Sequence, residues 1–235
     1  MSDNSESPVF AFLSKPSMID YPGCIAAVFF VAGCNFRCGY CHNPELLVRT
    51  GKNISWKKLD EICLQFKNEW VDATVITGGE PTLAGNLVDL LKYFQQFNWL
   101  IKLDTNGSCP EMLKKCVNFV NYIAMDFKTS ISKYYEITAC DCGEAISKSI
   151  QFIIESDIAY EFRTTVIPCF HDEMTVREMG KSLMGAKKWV LQPFIPRDNL
   201  PDITFRDLKR TTREEMEAFR KIASEYVPCI EIRQN

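Results

Sequence analysis

Residues 25–44 read IAAVFFVAGCNFRCGYCHNP, an apolar run followed at once by a loop with three cysteines. The run is short, β-branched and aromatic, which predicts a buried strand of a parallel sheet. Cys34, Cys38 and Cys41 then follow with the spacing C-x3-C-x2-C. With eleven cysteines in 235 residues, chance would produce only about 0.02 such triplets. The spacing therefore requires a chemical explanation.

Short apolar runs recur along the chain, and segments of helical period separate them. The runs are residues 25–31, 73–76, 99–103, 122–125, 160–166 and 189–191. Alternation of strand and helix predicts an α/β fold with a parallel sheet, and six such units fall short of the eight in a closed barrel. We expect a partial (β/α)6 barrel of the TIM type, with a doubly wound open sheet as the alternative. Both place functional residues at the carboxyl ends of strands.

The domain organisation expected is a flexible segment over residues 1–9 and a single domain over 10–235, because no linker composition divides the rest. Near its end, Thr212 followed by Glu215 predicts a capping box that opens a last helix.

The composition excludes several classes of protein. Twenty-seven basic against thirty acidic residues give a net charge of −3, which argues against a nucleic-acid partner. No run approaches the roughly 20 apolar residues of a membrane helix, and the polar, acidic start does not resemble a signal peptide. We therefore expect a cytoplasmic protein without a membrane partner, in which a disulfide framework is not predicted.

Three thiolates within eight residues can converge on one soft metal centre. A structural zinc site usually has four ligands, and no second cysteine pair with the spacing of a zinc ribbon is present. An iron–sulfur cube held by three cysteines leaves its fourth iron open to a substrate. The pattern favours this 4Fe–4S cluster, with zinc or a merely buried trio as the alternatives.

The same loop resembles that of the radical S-adenosylmethionine (SAM) superfamily, in which an aromatic residue, here Tyr40, precedes the third cysteine. SMIDYPG at 17–23 and CHNPE at 41–45 resemble the glycyl-radical-enzyme activases, and most closely the activating proteins of anaerobic ribonucleoside-triphosphate reductase. The resemblance implies a radical SAM oxidoreductase with a 4Fe–4S cluster on Cys34, Cys38 and Cys41.

By this resemblance, the enzyme reductively cleaves SAM to a 5′-deoxyadenosyl radical. The radical then abstracts hydrogen from a glycine of a partner glycyl radical enzyme. Flavodoxin or ferredoxin is implied as the electron donor.

Residues 77–82, TGGEPT, follow the second predicted strand. Two glycines let a backbone approach a ligand that a Cβ atom would block, although an ordinary turn explains them equally well. The resemblance implies that Gly78, Gly79 and Glu80 receive the amino group of SAM, with Tyr40 also beside the cofactor.

Asp104 and Asp126 end the third and fourth predicted strands. Two neighbouring carboxylates repel unless a positive charge lies between them, which indicates a bound cation; a helix cap and a solvated strand end are the alternatives. The resemblance implies that both aspartates line the SAM site, that Thr105 joins them around a monovalent cation, and that Lys128 contacts SAM.

Arg163 interrupts the fifth apolar run, so it needs an anionic or carbonyl partner. It contacts the SAM ribose or a substrate backbone, or else pairs with a core carboxylate. Gln192 on the sixth run resembles an adenine contact. The sequence assigns no role to four further cysteines, Cys109, Cys140, Cys142 and Cys169.

Two alternative functions remain open. A radical SAM enzyme for a small molecule, similar to the carboxy-deazaguanine synthases, has a comparable size but lacks the His-Asn-Pro and Asp-x-Lys elements. A non-enzymatic iron–sulfur or zinc carrier has no use for Gly-Gly-Glu-Pro at the next strand end.

Overall fold

The computed structural model describes Ser5–Arg233, so residues 1–4 of the predicted flexible segment and residues 234–235 lie outside the described residues. Eight strands and eight α-helices lie within Ser5–Arg233. The strands are β1 Ala11–Phe12, β2 Ala26–Val31, β3 Ala73–Gly78, β4 Leu100–Thr105, β5 Tyr122–Asp126, β6 Ala159–Val166, β7 Lys188–Pro193 and β8 Cys229–Ile232. The helices are α1 Trp56–Asn68, α2 Leu87–Gln95, α3 Pro110–Cys116, α4 Tyr134–Thr138, α5 Gly143–Glu155, α6 Glu173–Ser182, α7 Ile203–Arg206 and α8 Arg213–Ala223.

The strands keep their sequence order along one sheet, from β1 to β8, and the sheet does not close. The predicted α/β class with an incomplete barrel sheet is therefore confirmed. All six apolar runs form strands. The chain also groups into two compact units built from interleaved segments, and the single domain over residues 10–235 stays a prediction.

Unit 1 contains the described residues up to Cys34, Glu45–Thr105 and Glu111–Ile123. Its strands β2, β3 and β4 are parallel, and β1 runs antiparallel to β2. Helices α1 and α2 bury the apolar faces that their periodicity predicts. Phe29 of β2 packs against Phe94 at 4.9 Å and Phe66 at 6.2 Å between ring centroids, which fixes both helices on the sheet.

Residues that directly follow the undescribed N-terminus are held in unit 1. The Ser7 amide donates to the Ile54 carbonyl at 2.9 Å, and the Ile54 amide donates to the Val9 carbonyl at 2.8 Å. Val9 is fully buried. The part of segment 1–9 that the structure describes is thus an integral part of the unit, which corrects the expectation of flexibility there.

Unit 2 contains Asn35–Pro44, Asn106–Pro110 and the described residues from Ala124 onward. Its strands β6, β7 and β8 are parallel. The buried Glu161 carboxylate accepts two hydrogen bonds from Arg233, both at 2.9 Å, so its charge is compensated inside the unit. Thr212 and Glu215 form the predicted capping box of α8. Over Ser5–Arg233, the helices are too short or too polar to cross a bilayer.

Candidate active site

The cysteine loop begins where β2 ends. Gly33 has a φ of +97°, a conformation that favours glycine, and its amide donates to the Leu46 carbonyl at 2.8 Å. The Cys34 amide donates to the Leu47 carbonyl at 3.2 Å. The first cysteine therefore leaves the strand on a backbone fixed by hydrogen bonds.

Gly78 and Gly79 lie against the start of this loop. A Cβ atom on Gly78 would stand 2.3 Å from the Val31 carbonyl oxygen, and one on Gly79 would stand 2.2 Å from that of Gly33. The Glu80 amide donates to the Gly33 carbonyl at 2.8 Å. The chain's own backbone thus requires these glycines, and their contact with SAM stays a prediction.

The Glu80 carboxylate is fully buried and connects the ends of β3 and β4. Its Oε1 accepts from the Thr82 amide at 3.0 Å and from the Thr105 hydroxyl at 2.7 Å. Because buried carboxylates are costly unless hydrogen-bonded, these bonds hold Glu80 in one position. Thr105 is buried by the same arrangement.

Asp104 has a positively charged partner that the sequence analysis missed. The Lys102 ammonium, 2% exposed, lies 2.5 Å from the Asp104 carboxylate. Residues two apart on a strand share one face, so this pairing follows from the strand itself. Lys102 supplies the positive charge for which we predicted a cation beside Asp104. The cation stays a prediction, with one of its physical reasons removed.

In unit 2, an amide network holds the loop just after Cys34. The Asn106 Nδ2 donates to the Asn35 Oδ1 at 3.0 Å, and Asn35 in turn donates to the Ser108 hydroxyl at 2.9 Å. The Ser108 amide donates back to Asn106 at 2.9 Å. The sequence analysis missed Asn35 and Ser108, which are 73 residues apart and share no local pattern.

Helix α4 also holds this loop. Phe36 is 1% exposed and its ring packs edge-on against Tyr134, with the centroids 6.2 Å apart. The Arg37 amide donates to the Thr138 carbonyl at 2.8 Å. Backbone and side chain on both sides of Cys38 are therefore anchored.

Tyr40, which precedes the third cysteine, is buried between an aromatic ring and a cation. Its ring lies 5.8 Å from that of Phe205, and the Lys128 ammonium lies 5.8 Å from its centroid. Burial raises the pKa of Tyr40 well above its usual value, so the phenol stays protonated. Tyr40 therefore offers Lys128 a cation–π contact.

Asp126 and Arg163, both predicted site residues, form an ion pair that includes Lys128. Arg163 Nε donates to Asp126 Oδ1 at 2.9 Å, and the Lys128 ammonium lies 3.3 Å from Oδ2. Burial alone would raise the pKa of Asp126, but Arg163 and Lys128 outweigh it and lower the value to about 2. Of the two predicted partners of Arg163, the structure contains the carboxylate. A ligand contact of Arg163 stays a prediction.

His171 holds the strand end that carries Lys128. Its Nδ1 accepts from the Ile167 amide at 3.0 Å, which leaves the proton on Nε2 to be donated to the Lys128 carbonyl at 2.9 Å. The ring is 5% exposed, and burial lowers its pKa. His171 thus positions Lys128 as a neutral imidazole.

The lowered pKa of His171 predicts a loss of stability in mild acid. The unfolded chain takes up the proton near pH 6.5, before the folded one does. The free energy of unfolding should therefore fall as the pH drops from 7.5 to 5.5, by at most about 1.4 kcal/mol per pH unit. Urea unfolding at both pH values should show this slope in the native chain and a shallower one in His171→Asn. Equal slopes would assign the effect to other groups.

Gln192 is half-buried on β7 opposite Thr165 of β6. Its contact with adenine stays a prediction.

His42 directly follows Cys41, and its ring presents a buried atom without a partner. The ring bonds the backbone of Ile195, and because this bond raises the pKa, the ring is the donor. Nε2 is buried and has no hydrogen-bond partner among residues 5–233. Burial lowers the pKa of His42, as do the charges of Arg197 and Lys128, so Nε2 is an acceptor. A bound ligand normally satisfies such an atom, and the loop fits one.

All eleven cysteines lie in the described part of the chain and are thiols. Burial raises the pKa of Cys63, Cys116 and Cys142 to about 12. Cys140 lies close to the loop, since Asn35 Nδ2 is 3.9 Å from its sulfur. Within residues 5–233, no three His, Cys, Asp or Glu side chains are grouped as a site for a single metal ion. The cluster on Cys34, Cys38 and Cys41 stays a prediction.

Comparison with known proteins places these residues in a family. The radical SAM superfamily profile matches residues 28–178. The chain is 32% identical to a Methanocaldococcus jannaschii protein with the provisional name glycyl-radical enzyme activating enzyme, over 92% of both chains. It is 23% identical to the pyruvate formate-lyase-activating enzyme of Clostridium pasteurianum, over 91% of this chain and 95% of that protein.

A solved domain of pyruvate-formate lyase-activating enzyme from Bacteroides vulgatus superposes with a TM-score of 0.55 at 19% identity. The match covers 69% of this chain and 98% of that domain, and it extends the likeness to the fold. The chain therefore belongs to the radical SAM superfamily of oxidoreductases, whose members use a 4Fe–4S cluster and S-adenosylmethionine.

Proposed function

We propose that this protein activates a glycyl radical enzyme by removing a hydrogen atom from a glycine of that partner. The observation that carries the proposal is the extent of the similarity. Two relatives with names of this class align over more than nine-tenths of both chains. Little of this chain is left over for a separate domain that would bind a different substrate.

We assign the cluster to Cys34, Cys38 and Cys41. Gly33, the Asn35 network and the contacts of Phe36 with α4 fix the backbone that carries these cysteines. When bound, the cluster and SAM supply a carbon-centred radical that takes one hydrogen atom from the substrate. The chain's task is to hold the reactants in register and to keep water and other hydrogen donors away.

Lys128 is the residue that we propose to bind the SAM carboxylate. Its ammonium is confined by the Asp126 carboxylate and by the face of Tyr40, and its backbone is held by His171. Such confinement reduces the side-chain entropy lost when an anion binds. Asp126 is itself compensated by Arg163, so the group retains positive charge for an incoming carboxylate.

We also propose Gly78, Gly79 and Glu80 for the SAM amino group, and Asp104, Thr105, Arg163 and Gln192 as further residues of the site. The role of Glu80 is supported by its rigid hydrogen bonds to Thr82 and Thr105.

We propose anaerobic ribonucleoside-triphosphate reductase as the partner and flavodoxin or ferredoxin as the electron donor. The proposal of the reductase is supported by the resemblance of residues 17–23 and 41–45 to the activating proteins of that enzyme. The donor is proposed by analogy with the same proteins.

An anaerobic activation assay tests the function. Reduced protein, SAM and the reductase should produce a glycyl-radical EPR doublet on the reductase. A reductase whose radical glycine is replaced by alanine should give no doublet but leave slow, uncoupled SAM cleavage.

The same assay separates the alternatives. A doublet on pyruvate formate-lyase alone would keep the class of activity and replace the partner. Efficient 5′-deoxyadenosine release with a pterin or nucleoside-like molecule, and no doublet on either protein, would favour a small-molecule enzyme.

A further inference from the structure

His42 is a residue for which the chemistry described so far has no use. Its Nε2 is buried, carries a lone pair and has no hydrogen-bond partner among residues 5–233. A buried acceptor without a donor costs free energy comparable to that of a lost hydrogen bond. A chain keeps such an atom at little cost only if a ligand supplies the missing donor.

The position of the ring narrows the ligand. His42 is the residue after Cys41, so the orphan atom belongs to the same loop as the cysteines assigned to the cluster. The molecule expected beside that cluster is SAM, whose hydrogen-bond donors are the ammonium group, the two ribose hydroxyls and the adenine amino group.

The charges around His42 discriminate among these donors. Lys128 and Arg197 both act on the ring as cations, which disfavours a third positive charge at Nε2. The adenine amino group is neutral but only donates. A hydroxyl donates and accepts, so it can bond Nε2 and also receive a hydrogen bond from a neighbouring cationic side chain.

We propose that His42 positions SAM by accepting a hydrogen bond from a ribose hydroxyl at Nε2. The inference rests on the SAM site of the proposed function but not on the identity of the protein substrate.

Two variants separate the two edges of the ring. Asn at position 42 can still donate to the Ile195 backbone through its short amide, but it does not reach the place of Nε2. Gln extends to that place and offers an oxygen acceptor. We therefore compare His42→Asn with His42→Gln.

The experiment measures equilibrium binding of SAM to the protein with an oxidised, reconstituted cluster and no reductant, so that no turnover occurs. The probes are SAM, its 2′-deoxy and 3′-deoxy analogues, and S-inosylmethionine, which lacks the adenine amino group. His42→Asn should weaken SAM binding about five- to tenfold, and His42→Gln by less than about threefold.

The analogue without the partner hydroxyl should bind the native protein more weakly by a similar factor. It should bind His42→Asn as tightly as SAM does, because the two changes remove one and the same hydrogen bond.

Several outcomes would overturn the proposal. If the native protein binds both deoxy analogues as tightly as SAM, no ribose hydroxyl is recognised, whatever the variants do. If His42→Asn weakens SAM and both analogues equally, the residue acts on another part of the site. Coupling to S-inosylmethionine instead would transfer the contact to adenine. A missing glycyl radical leaves these measurements unaffected, so failure of the proposed function is distinguishable from failure of this inference.

Discussion

Replacing Cys34, Cys38 and Cys41 together by alanine is expected to leave the protein without iron after anaerobic reconstitution. The native chain should take up about four irons and absorb near 400 nm, from sulfur-to-iron charge transfer. The triple variant should lose that absorbance, and SAM cleavage with it. Iron analysis and absorbance spectra on the same samples measure the effect.

A matched control tests whether the effect belongs to the loop. Cys24, Cys169 and Cys229 are all at least partly exposed and lie outside it. Replacing these three by alanine should leave the iron content unchanged. If the loop variant still bound four irons per chain, or the control variant lost them, the assignment of the cluster would be wrong.

A single methyl group at Gly79 is expected to have the largest effect on folding. The added Cβ atom would stand 2.2 Å from the Gly33 oxygen and 2.8 Å from the Leu46 oxygen, both backbone atoms that cannot swing away. Overpacking of this kind costs about 1–3 kcal/mol, and here we expect the upper end or more. Because Gly33 begins the cysteine loop, Gly79→Ala should also reduce iron uptake. Urea unfolding and iron analysis measure both effects.

Gly85 provides the matched control, since a Cβ atom there meets nothing within 4 Å. Gly85→Ala should change the free energy of unfolding by less than about 1 kcal/mol and leave iron uptake intact. Equal destabilisation by the two substitutions would refute the argument that the Gly79 backbone is wedged against the loop.

The sequence alone predicted the sheet because its strands are short apolar runs that few other structures accommodate. The two-residue strand β1 and the five-residue helix α4 are too short to leave a periodic pattern. Their existence depends on contacts with partners distant in sequence, such as the pairing of Ala11 with Phe30. Local patterns do not contain that information.

Charge pairing in the site was partly predictable. Lys102 interrupts an apolar strand two residues before Asp104, and strand geometry places both on one face, so this pair could have been found. Arg163 was predicted to have a carboxylate among its alternatives, but nothing in the sequence selects Asp126, 37 residues away. The glycines at 78 and 79 were attributed to a ligand because the backbone that they pack against comes from another strand.

The acidity of the buried thiols bears on how the protein would acquire its cluster. Iron binds thiolates, so every cysteine competes with a proton for the metal. With a pKa of about 12, Cys63, Cys116 and Cys142 are ionised at pH 7.5 in roughly one molecule in thirty thousand. During assembly these thiols are almost silent toward iron, and toward oxidants that attack thiolates. Burial thus gives the chain a chemical selectivity among its own cysteines before any shape is recognised.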